Sequence, residues 1–343
     1  MEFKTSTDSI PSQINNSRVS ALMRQVLYAL VPGTLTLLWF FGWGVLSNLV
    51  LSISFALLAE GIMLKLRNRP VKPFLSDYSA VVTGWLLGLA MPAASPYWLI
   101  AVAIIFAIII AKQLYGGLGY NPFNPAMIGY TVVLISYPAE MSRWLSPIDM
   151  GLLHSSLSDV LAHVLGLSPD KAWDGMTMAT PLDHIKTNLM RDMSVSQSMT
   201  AQQFGLLAGK GWEWVSLAYL LGGVWLIYKK VITWHIPTAL LATLAAISAV
   251  FWIISPEHYS SPLFHLLSGA TMLGAFFIAT DPISASTTPI GKLVYAAGIA
   301  FFVYVIRVWG GYPDGIAFSV IIMNMAVPLI DYYTRPKILG EKG

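Results

Sequence analysis

Long apolar stretches separated by short polar turns form the dominant pattern along this chain of 343 residues. A transmembrane helix needs about 20 consecutive apolar residues, and most of these stretches reach or approach that length. The pattern predicts ten helical spans, at about 21–41, 45–65, 80–91, 97–112 and 126–137 in the first half and about 214–228, 232–254, 263–279, 291–308 and 315–333 in the second. We therefore expect an all-α polytopic membrane protein.

One long polar interval divides the ten predicted spans into two groups of five. A similar Gly- and Pro-containing stretch precedes the last span of each group, at 116–126 and at 310–317. Because each group has an odd number of spans, the second lies upside down relative to the first. These features predict an inverted repeat with a site between the halves. The expected segments are an N-terminal tail, the first five spans, the polar interval, the second five spans and a C-terminal tail, over 1–20, 21–137, 138–212, 213–333 and 334–343.

Composition supports the membrane assignment and limits the kinds of redox centre that the chain can hold. Hydrophobic residues make up 56% of the chain and charged residues only 11%, which is too apolar for a water-soluble protein of this size. The formal net charge of +3 does not indicate a nucleic-acid partner, since most basic residues lie near the ends of predicted spans. The chain contains no cysteine, so it cannot ligate an iron–sulfur cluster through thiolates. Any redox centre must be organic or held by other ligands.

The basic residues also predict an orientation. Cytoplasmic loops are enriched in Lys and Arg, and Arg67, Arg69 and Lys72 cluster after the second span. With ten spans and both termini in the cytoplasm, fourteen of the twenty Lys and Arg residues face the cytoplasm. The polar interval 138–212 is then expected on the other side of the membrane.

The stretch before the fifth span cannot be a continuous helix, because Pro122 and Pro125 interrupt it. Non-helical backbone at membrane depth persists only where protein or a polar cavity satisfies its hydrogen bonds. Asn121 and Asn124 are therefore candidates for lining a cofactor or ion path, with an interfacial turn as the alternative. Asp281, at the cytoplasmic end of the eighth predicted span, is a further ion-path candidate, or else it caps the following turn.

A short motif in the polar interval is centred on the hydroxyl of Thr180. The motif resembles the Asp-x-x-Ser/Thr-Gly-Ala-Thr signature at which FMN is joined to a threonine through a phosphoester bond. Met178 stands at the usual glycine position. The matching residues are Asp174, Thr177, Ala179 and Thr180.

The same threonine also has a structural interpretation. Thr180 suits the N-cap of a helix, Pro181 its first position and Asp183 its first turn. The two interpretations are compatible, because a helix N-terminus stabilises a bound phosphate. A second match at 268–271 fits the core of the signature better, but it lies inside the eighth predicted span, where a soluble transferase could not reach. We therefore prefer Thr180 over Thr271 as the attachment site.

Four further residues have competing interpretations. Asp174 is expected to help the transferase recognise the motif, or else to be a solvated loop acid. Trp173 could stack on a flavin ring, but tryptophans near a bilayer surface, here also Trp212, more often anchor the interface. Glu60 lies within the second span, and its place near the cytoplasmic end favours snorkelling over a functional role. His265 is expected to be a satisfied polar residue of the helix bundle.

Taken together, these features make the chain similar to the RnfD/RsxD family, the D subunits of the bacterial Rnf or Rsx electron transport complex. The similarity covers essentially the full length. It rests on the motif around Thr180, the stretch 116–126, and the sequence Phe-Phe-Ile-Ala-Thr-Asp-Pro at 276–282. The B subunits of the sodium-pumping NADH:quinone reductases form a related family. They usually have a longer N-terminal region, so the Rnf family is preferred.

The resemblance implies a membrane subunit of an ion-translocating oxidoreductase complex, which passes electrons between NADH and ferredoxin or another low-potential acceptor while sodium ions or protons move. It implies covalent FMN on Thr180, added by a periplasmic flavin transferase. By analogy with the quinone reductase it also implies a non-covalent flavin such as riboflavin. The implied fold is urea-transporter-like. The implied location is the bacterial cell inner membrane, with cytoplasmic termini and a periplasmic flavin loop, among membrane lipid and the other subunits of the complex.

A solute channel without a redox role is the alternative function. Asn124, Pro125 and Ala126 form a tripeptide found at half-helix ends in aquaporins, and ten spans suit a urea-type channel. Neither channel explains the motif around Thr180. A scaffold whose loop docks a partner is a third class. Because the chain has no Gly-rich dinucleotide fingerprint and no cysteine, we expect partner subunits to oxidise NADH and to bind ferredoxin.

Overall fold

The computed structural model describes residues 10–150, 156–167, 173 and 175–335, with side chains described from residue 19 and that of Asp149 excepted. Helices dominate this part of the chain. The first half contains α1 (Ile10–Phe41), α2 (Trp43–Leu66), α3 (Val71–Leu75), α4 (Ser79–Ala90), α5 (Tyr97–Gln113, π-helical over Ile105–Gln113) and α6 (Pro125–Ser136).

The polar interval and the second half complete the described elements. The polar interval holds α7 (Pro138–Met141), β1 (Trp144–Leu145), a 3-10 turn (Ile148–Met150), α8 (Leu157–Val164), β2 (Thr177–Met178), α9 (Pro181–Leu189) and α10 (Val195–Ser198). The second half holds α11 (Trp212–Tyr228), α12 (His235–Ile254), α13 (Pro262–Leu267), α14 (Thr271–Leu273, continued as a π-helix over Gly274–Ile278), α15 (Pro289–Trp309) and α16 (Ile316–Thr334).

Several of the described helices are long and apolar enough to cross a membrane. By length and composition these are α1 from Val19, α2, α12, α15 and α16, five in all, with α4, α5 and α6 as shorter apolar helices. The prediction of a helical protein with several apolar spans, consistent with a polytopic membrane protein, is therefore confirmed. The count of ten spans stays a prediction.

Two boundaries differ from those predicted. The eighth span was expected to be continuous over 263–279, but α13 ends at Leu267 and α14 starts at Thr271, with Gly269 between them at φ +61°. The prediction of a continuous helix is wrong there, because this backbone conformation is left-handed. At the N-terminus the backbone is already helical from Ile10, where the predicted polar tail extends to residue 20.

Two glycines of α4 allow it to approach α2 closely. A Cβ atom at Gly84 would lie 2.9 Å from the Cα of Ile53 and from the backbone oxygen of Ser52. One at Gly88 would lie 2.5 Å from the Oγ of Ser52. The two helices therefore approach so closely that a larger residue does not fit without a shift.

The two halves meet along matching pairs of helices. α1 packs on α11, and α6 packs on α16, so each half contributes its first and last helix to the contact. Within the first half α2 packs on α4 and α5, and within the second half α12 packs on α13 and α15. The packing of one half thus resembles that of the other, as an inverted repeat requires. The repeat itself stays a prediction.

We expect Gly84→Ala to lower the thermal stability of the purified full chain in detergent. The added methyl group must push α2 and α4 apart, and overpacking of this kind costs about 1–3 kcal/mol. Gly61→Ala is the matched control, since a Cβ there would meet nothing closer than Leu75 Cδ1 at 3.9 Å. Equal melting temperatures for the two variants would contradict the close approach.

Candidate functional site

Thr180 occupies the N-cap of α9, which confirms that prediction. Its backbone is extended, its side-chain oxygen accepts a hydrogen bond from the N–H of Asp183 at 3.3 Å, and Pro181 fills the first helical position. N–H groups in the first turn of a helix lack partners within it, and the helix dipole adds partial positive charge there. The Thr180 hydroxyl therefore lies where a phosphate would be stabilised.

A buried lysine fastens α9 to the second half of the chain. The ammonium of Lys186 donates to the carbonyl oxygens of Ile306, Arg307 and Tyr312 at 3.1, 3.2 and 2.8 Å. Two of these carbonyls lie in the last turn of α15, where the helix dipole places partial negative charge. Thr180 therefore keeps a fixed position relative to α15.

Thr180 borders an aromatic cleft, here called the Thr180 cleft. The cleft has a volume of about 130 Å³, and its lining includes Tyr130, Trp144, Thr180, Trp212, Gly269, Ala270 and Asp314. The indoles of Trp144 and Trp212 meet edge to face, with ring centroids 5.2 Å apart. Because small-molecule pockets usually measure about 300–1,000 Å³, this cleft encloses only part of a three-ring flavin.

One wall of the cleft is held by an ion pair. Arg307 donates through Nε and Nη2 to Oδ1 of Asp314 at 3.2 and 3.0 Å. It also donates to the carbonyl oxygens of His265 and Ser268 at 2.7 and 3.2 Å. The other carboxylate oxygen of Asp314 accepts from the N–H of Ala270 at 2.7 Å. The pair thereby satisfies backbone groups that the break between α13 and α14 leaves free.

Burial shifts the titration of side chains on α9. Partial burial raises the pKa of the Asp183 carboxyl, although the charge of Lys186 opposes the shift. Burial also lowers the pKa of the His184 imidazole and of the Lys186 ammonium, and Asp183 counteracts both shifts. The Nε2 of His184 lies 2.9 Å from the side-chain amide nitrogen of Asn188.

The other residues predicted around the flavin do not line the Thr180 cleft in the described part of the chain. Thr177 lies in β2, where it pairs with Leu145 of β1. Trp173 is 4% exposed and stacks on His163, with ring centroids 4.2 Å apart. Its interpretation as an interface anchor is therefore wrong, and its role in flavin binding stays a prediction. Asp174 lies outside the described residues.

Two tryptophans that do line the cleft were missed as site residues. Trp212 is predicted to be an interface anchor, because it starts a predicted span, and its partly exposed ring also packs on Phe41 with centroids 4.6 Å apart. Trp144 reaches the cleft because β1 pairs with β2, which places it opposite Met178. Strands of two residues leave no detectable alternation in the sequence, so no local signal could have identified Trp144.

A second, larger cavity lies at the other end of the bundle, here called the Asn121 cavity. Its volume is about 730 Å³, and its lining includes Asp77, Lys112, Asn121, Asn124, Phe276, Phe277 and Asp281. Asn121 is 3% exposed, and its amide nitrogen donates to the carbonyl of Phe123 at 3.0 Å. Its side-chain oxygen has no partner among the described residues. A buried acceptor without a donor is a candidate contact for a ligand.

Asn124 joins the break before α6 to the second half. Its side-chain oxygen caps α6 by accepting from the N–H of Met127 at 3.2 Å, and its amide donates to the carbonyl of Ile278 at 3.2 Å. Its backbone N–H donates to the side-chain oxygen of Asn324 at 3.1 Å. Asn124 therefore lies at a buried junction between the halves, whereas Tyr120 and Pro122 in the same break are exposed, so the interfacial turn stays an alternative.

A buried ion pair lies beside the Asn121 cavity. Glu60 and Lys112 are 2% and 1% exposed, and Oε2 of Glu60 lies 2.8 Å from Nζ of Lys112. Lys112 also donates to the hydroxyl of Ser79 at 2.7 Å, and Gln113 donates to Glu60 at 2.8 Å. The expectation that Glu60 snorkels to the surface is wrong, because a lysine of α5 neutralises it inside the bundle.

Three more residues complete the comparison with the sequence. Asp281 accepts from the hydroxyl of Ser284 at 2.7 Å, so it caps the following turn and also lines the Asn121 cavity. Thr271 is fully buried and donates to the carbonyl of His265 at 2.9 Å, whereas Thr180 is partly exposed. His265 was expected to be satisfied. This is wrong, because neither ring nitrogen has a partner in the described part of the chain.

The two cavities nearly meet in the middle of the bundle. Ala126 in the first turn of α6 lines the Asn121 cavity, and Tyr130, one turn further on, lines the Thr180 cleft. Met127 and Ile278 line the cleft, whereas their chain neighbours Ala126 and Phe277 line the cavity. Because consecutive Cα atoms are about 3.8 Å apart, only a thin layer of protein separates the two spaces.

Comparison with known proteins gives a consistent match over the whole chain. The model of the NQR2, RnfD, RnfE family matches residues 6–340. The D subunit of the ion-translocating oxidoreductase complex of Escherichia fergusonii is 49% identical over 344 residues, covering 97% of this chain and 98% of that protein. The proteins of the same name from Vibrio atlanticus and Aliivibrio salmonicida are 50% and 49% identical, with the same coverage. Both cavities lie within the matched region.

We expect Lys112→Met to destabilise the purified chain strongly. Removing one partner of a buried ion pair leaves the other charge uncompensated, which costs about 3–5 kcal/mol. Thermal unfolding in detergent should show a large drop for Lys112→Met and a partial recovery when Glu60→Gln is added.

The exposed Lys65, at the end of α2, provides the matched control. Lys65→Met removes the same side chain from the surface and should leave the melting temperature near that of the wild type. A drop in Lys65→Met as large as that in Lys112→Met would contradict a specific role for the buried pair.

Proposed function

The chain belongs to the NQR2, RnfD, RnfE family, and on this premise we propose that it is a flavin-carrying membrane subunit of an ion-translocating oxidoreductase complex. Its relatives are named as the D subunit of such a complex. The chain relays electrons between NADH and ferredoxin or another low-potential acceptor, through FMN on Thr180, while the complex moves sodium ions or protons. The observation that carries this proposal is the N-cap hydroxyl of Thr180 at the edge of an aromatic cleft.

The residues around Thr180 fit a phosphoester-linked flavin. Bound FMN supplies reversible electron uptake. Thr180 provides the oxygen of the ester, and the first turn of α9 stabilises the charge of the phosphate through its N–H groups. Trp144 and Trp212 offer an aromatic wall for a planar ring system, and Lys186 keeps α9 in position.

We propose that the Asn121 cavity holds a second, non-covalent flavin such as riboflavin. Its volume of about 730 Å³ lies in the usual range for a cofactor site. The free side-chain oxygen of Asn121 suits the imide N–H of an isoalloxazine ring, and Phe276 and Phe277 supply apolar contact. Flavins bound at the two sites would supply electron transfer, and Met127 would lie in the thin layer of protein between them.

The coupled ion path, the topology and the partners follow from the same proposal. Asn121, Asn124 and Asp281 line one cavity and are the candidates for the ion path. We infer ten spans in two inverted five-helix repeats, with both termini cytoplasmic and the Thr180 loop periplasmic in the bacterial inner membrane. A periplasmic flavin transferase attaches FMN, and other subunits of the complex oxidise NADH and bind ferredoxin.

Peptide mass spectrometry of the full chain, expressed with its flavin transferase, tests the attachment site. The peptide that contains Thr180 should gain the mass of an FMN group, and Thr180→Val should abolish the gain because it removes the ester oxygen. Thr200→Val, in an exposed turn of the same polar interval, is the control and should keep the modification. An unmodified Thr180 beside an active transferase would overturn the proposal and favour a channel.

The second flavin is tested by separating free from covalent flavin after acid precipitation. Asn121→Leu should weaken binding of the free flavin by about 5- to 150-fold, because an unmatched buried polar contact costs about 1–3 kcal/mol, and less flavin should therefore appear in the supernatant. Its precipitate should remain yellow. Thr180→Val should show the reverse, a colourless precipitate with free flavin retained. Undiminished free flavin in Asn121→Leu would exclude the proposed site.

A further inference from the structure

We propose that the carboxylate of Asp314, held in place by Arg307, sets the reduction potential of the flavin carried by Thr180. The inference rests on the proposed function, because it requires the flavin to occupy the Thr180 cleft. Asp314 lines that cleft with a side chain 22% exposed, whereas Arg307 lies behind it with a side chain 1% exposed. The negative end of the ion pair thus borders the cleft, and the positive end is the more deeply buried.

Hydrogen bonds hold the Asp314 carboxylate in one orientation. Oδ1 accepts from Nε and Nη2 of Arg307 at 3.2 and 3.0 Å and from the N–H of Ile316 at 3.3 Å. Oδ2 accepts from the N–H of Ala270 at 2.7 Å. Every one of these partners is a donor, and together they fix the orientation of the carboxylate. Asp314 therefore presents a fixed negative charge at the wall of the cleft.

Neutral acceptors hold the guanidinium of Arg307 from the other sides. These are the carbonyls of His265 and Ser268 at 2.7 and 3.2 Å, and the hydroxyl of Thr271 at 2.8 Å. Asp314 is therefore the anionic partner of Arg307 within the described ranges. If the charge at Asp314 is removed, the positive charge of Arg307 remains behind the cleft wall without compensation.

Leu182, on the helix that carries Thr180, lies close to this ion pair. Gly269 adopts φ +61°, and a Cβ atom there would overlap Oδ2 of Asp314. The same Cβ would lie 2.8 Å from Cδ1 of Leu182 on α9 and 3.0 Å from Nη2 of Arg307. Leu182 is two residues from Thr180. The proposed attachment site therefore lies near the ion pair, and both border the space that a side chain at Gly269 would occupy.

Electrostatics then fixes the sign of the effect. Reduction adds negative charge to a flavin, which a nearby carboxylate opposes and a nearby guanidinium favours. Inside an apolar bundle these interactions are screened less than in water. Asp183 and Lys186 on α9 also carry titratable groups near the flavin. Neither is changed in the variants below, so their contribution to the potential is the same in every protein compared. Loss of the charge at Asp314 and loss of the charge at Arg307 must therefore shift the potential in opposite directions.

The test is a spectroelectrochemical titration of the full chain, expressed with its flavin transferase. The difference between each protein and its Thr180→Val counterpart isolates the signal of the covalent flavin. We expect Asp314→Asn to shift the midpoint potential upward and Arg307→Gln to shift it downward. Asp192→Asn, an equal charge change at an exposed position of the polar interval, should leave the potential unchanged.

Each outcome decides the question. A wild-type potential in both variants, or shifts of the same sign, would overturn the role of the ion pair, since a merely structural perturbation has no reason to follow charge. Arg307→Lys keeps the cation and should restore most of the shift seen in Arg307→Gln. If Asp314→Asn does not give a folded protein, Asp314→Ser removes the same charge and keeps a small acceptor for Ile316.

The inference and the proposed function fail in different ways. If mass spectrometry finds no FMN on Thr180 in the wild type, the proposed function fails and the ion pair has no flavin to act on. If FMN is present at equal occupancy in wild type and variants but the potentials coincide, the function stands and the inference fails. Flavin occupancy is therefore measured on every sample before its titration.

Discussion

The structure depends on one requirement, that backbone groups leaving a helix inside an apolar bundle must find polar partners. The described chain breaks before α6, between α13 and α14, and before α16. At the first break, Asn124 satisfies backbone groups by capping α6 and by donating to the carbonyl of Ile278. Two side chains satisfy backbone groups at the other two breaks. Arg307 donates to the carbonyl of Ser268, and Asp314 accepts from the N–H groups of Ala270 and Ile316.

The same helix breaks, with the side chains that satisfy them, form the two cavities. A broken helix leaves space that a continuous one would fill, and the polar side chain that satisfies the break then borders that space. Asn124 lines the Asn121 cavity, and Asp314 lines the Thr180 cleft. Because the breaks lie at opposite ends of the bundle, the cavities open towards opposite ends and approach each other at α6. The residues that satisfy the breaks are therefore also the residues that line the two cavities.

Local features were well predicted by the sequence. The prolines at 122 and 125 identified the break before α6, since the missing N–H and fixed φ are properties of the residue itself. The N-cap at Thr180 followed from the order Thr, Pro, x, Asp, which specifies a helix start without tertiary information. The resemblance to a known family then gave the expected chemistry, and the family is confirmed over 6–340.

Features that depend on distant partners were not predicted. Glu60 and Lys112 are 52 positions apart, and nothing in either span indicates that the two side chains meet. The break at Gly269 was hidden because its neighbours Ser268 and Ala270 are small, a composition typical of helix packing as well. Trp144 reaches the cleft only through a pairing of two-residue strands. Such contacts are set by the assembled bundle, so no pattern within one segment could identify them.

The attachment of Lys186 to the end of α15 has a mechanical consequence. It makes α9 move with the second half, although α9 belongs to a loop that connects both halves. Tyr130, on α6 of the first half, forms another part of the same cleft. If the halves rock against each other, Thr180 travels with Arg307 while its distance to Tyr130 changes. A tether on one side of the cleft therefore concentrates any relative movement of the two halves on the gap beside Tyr130.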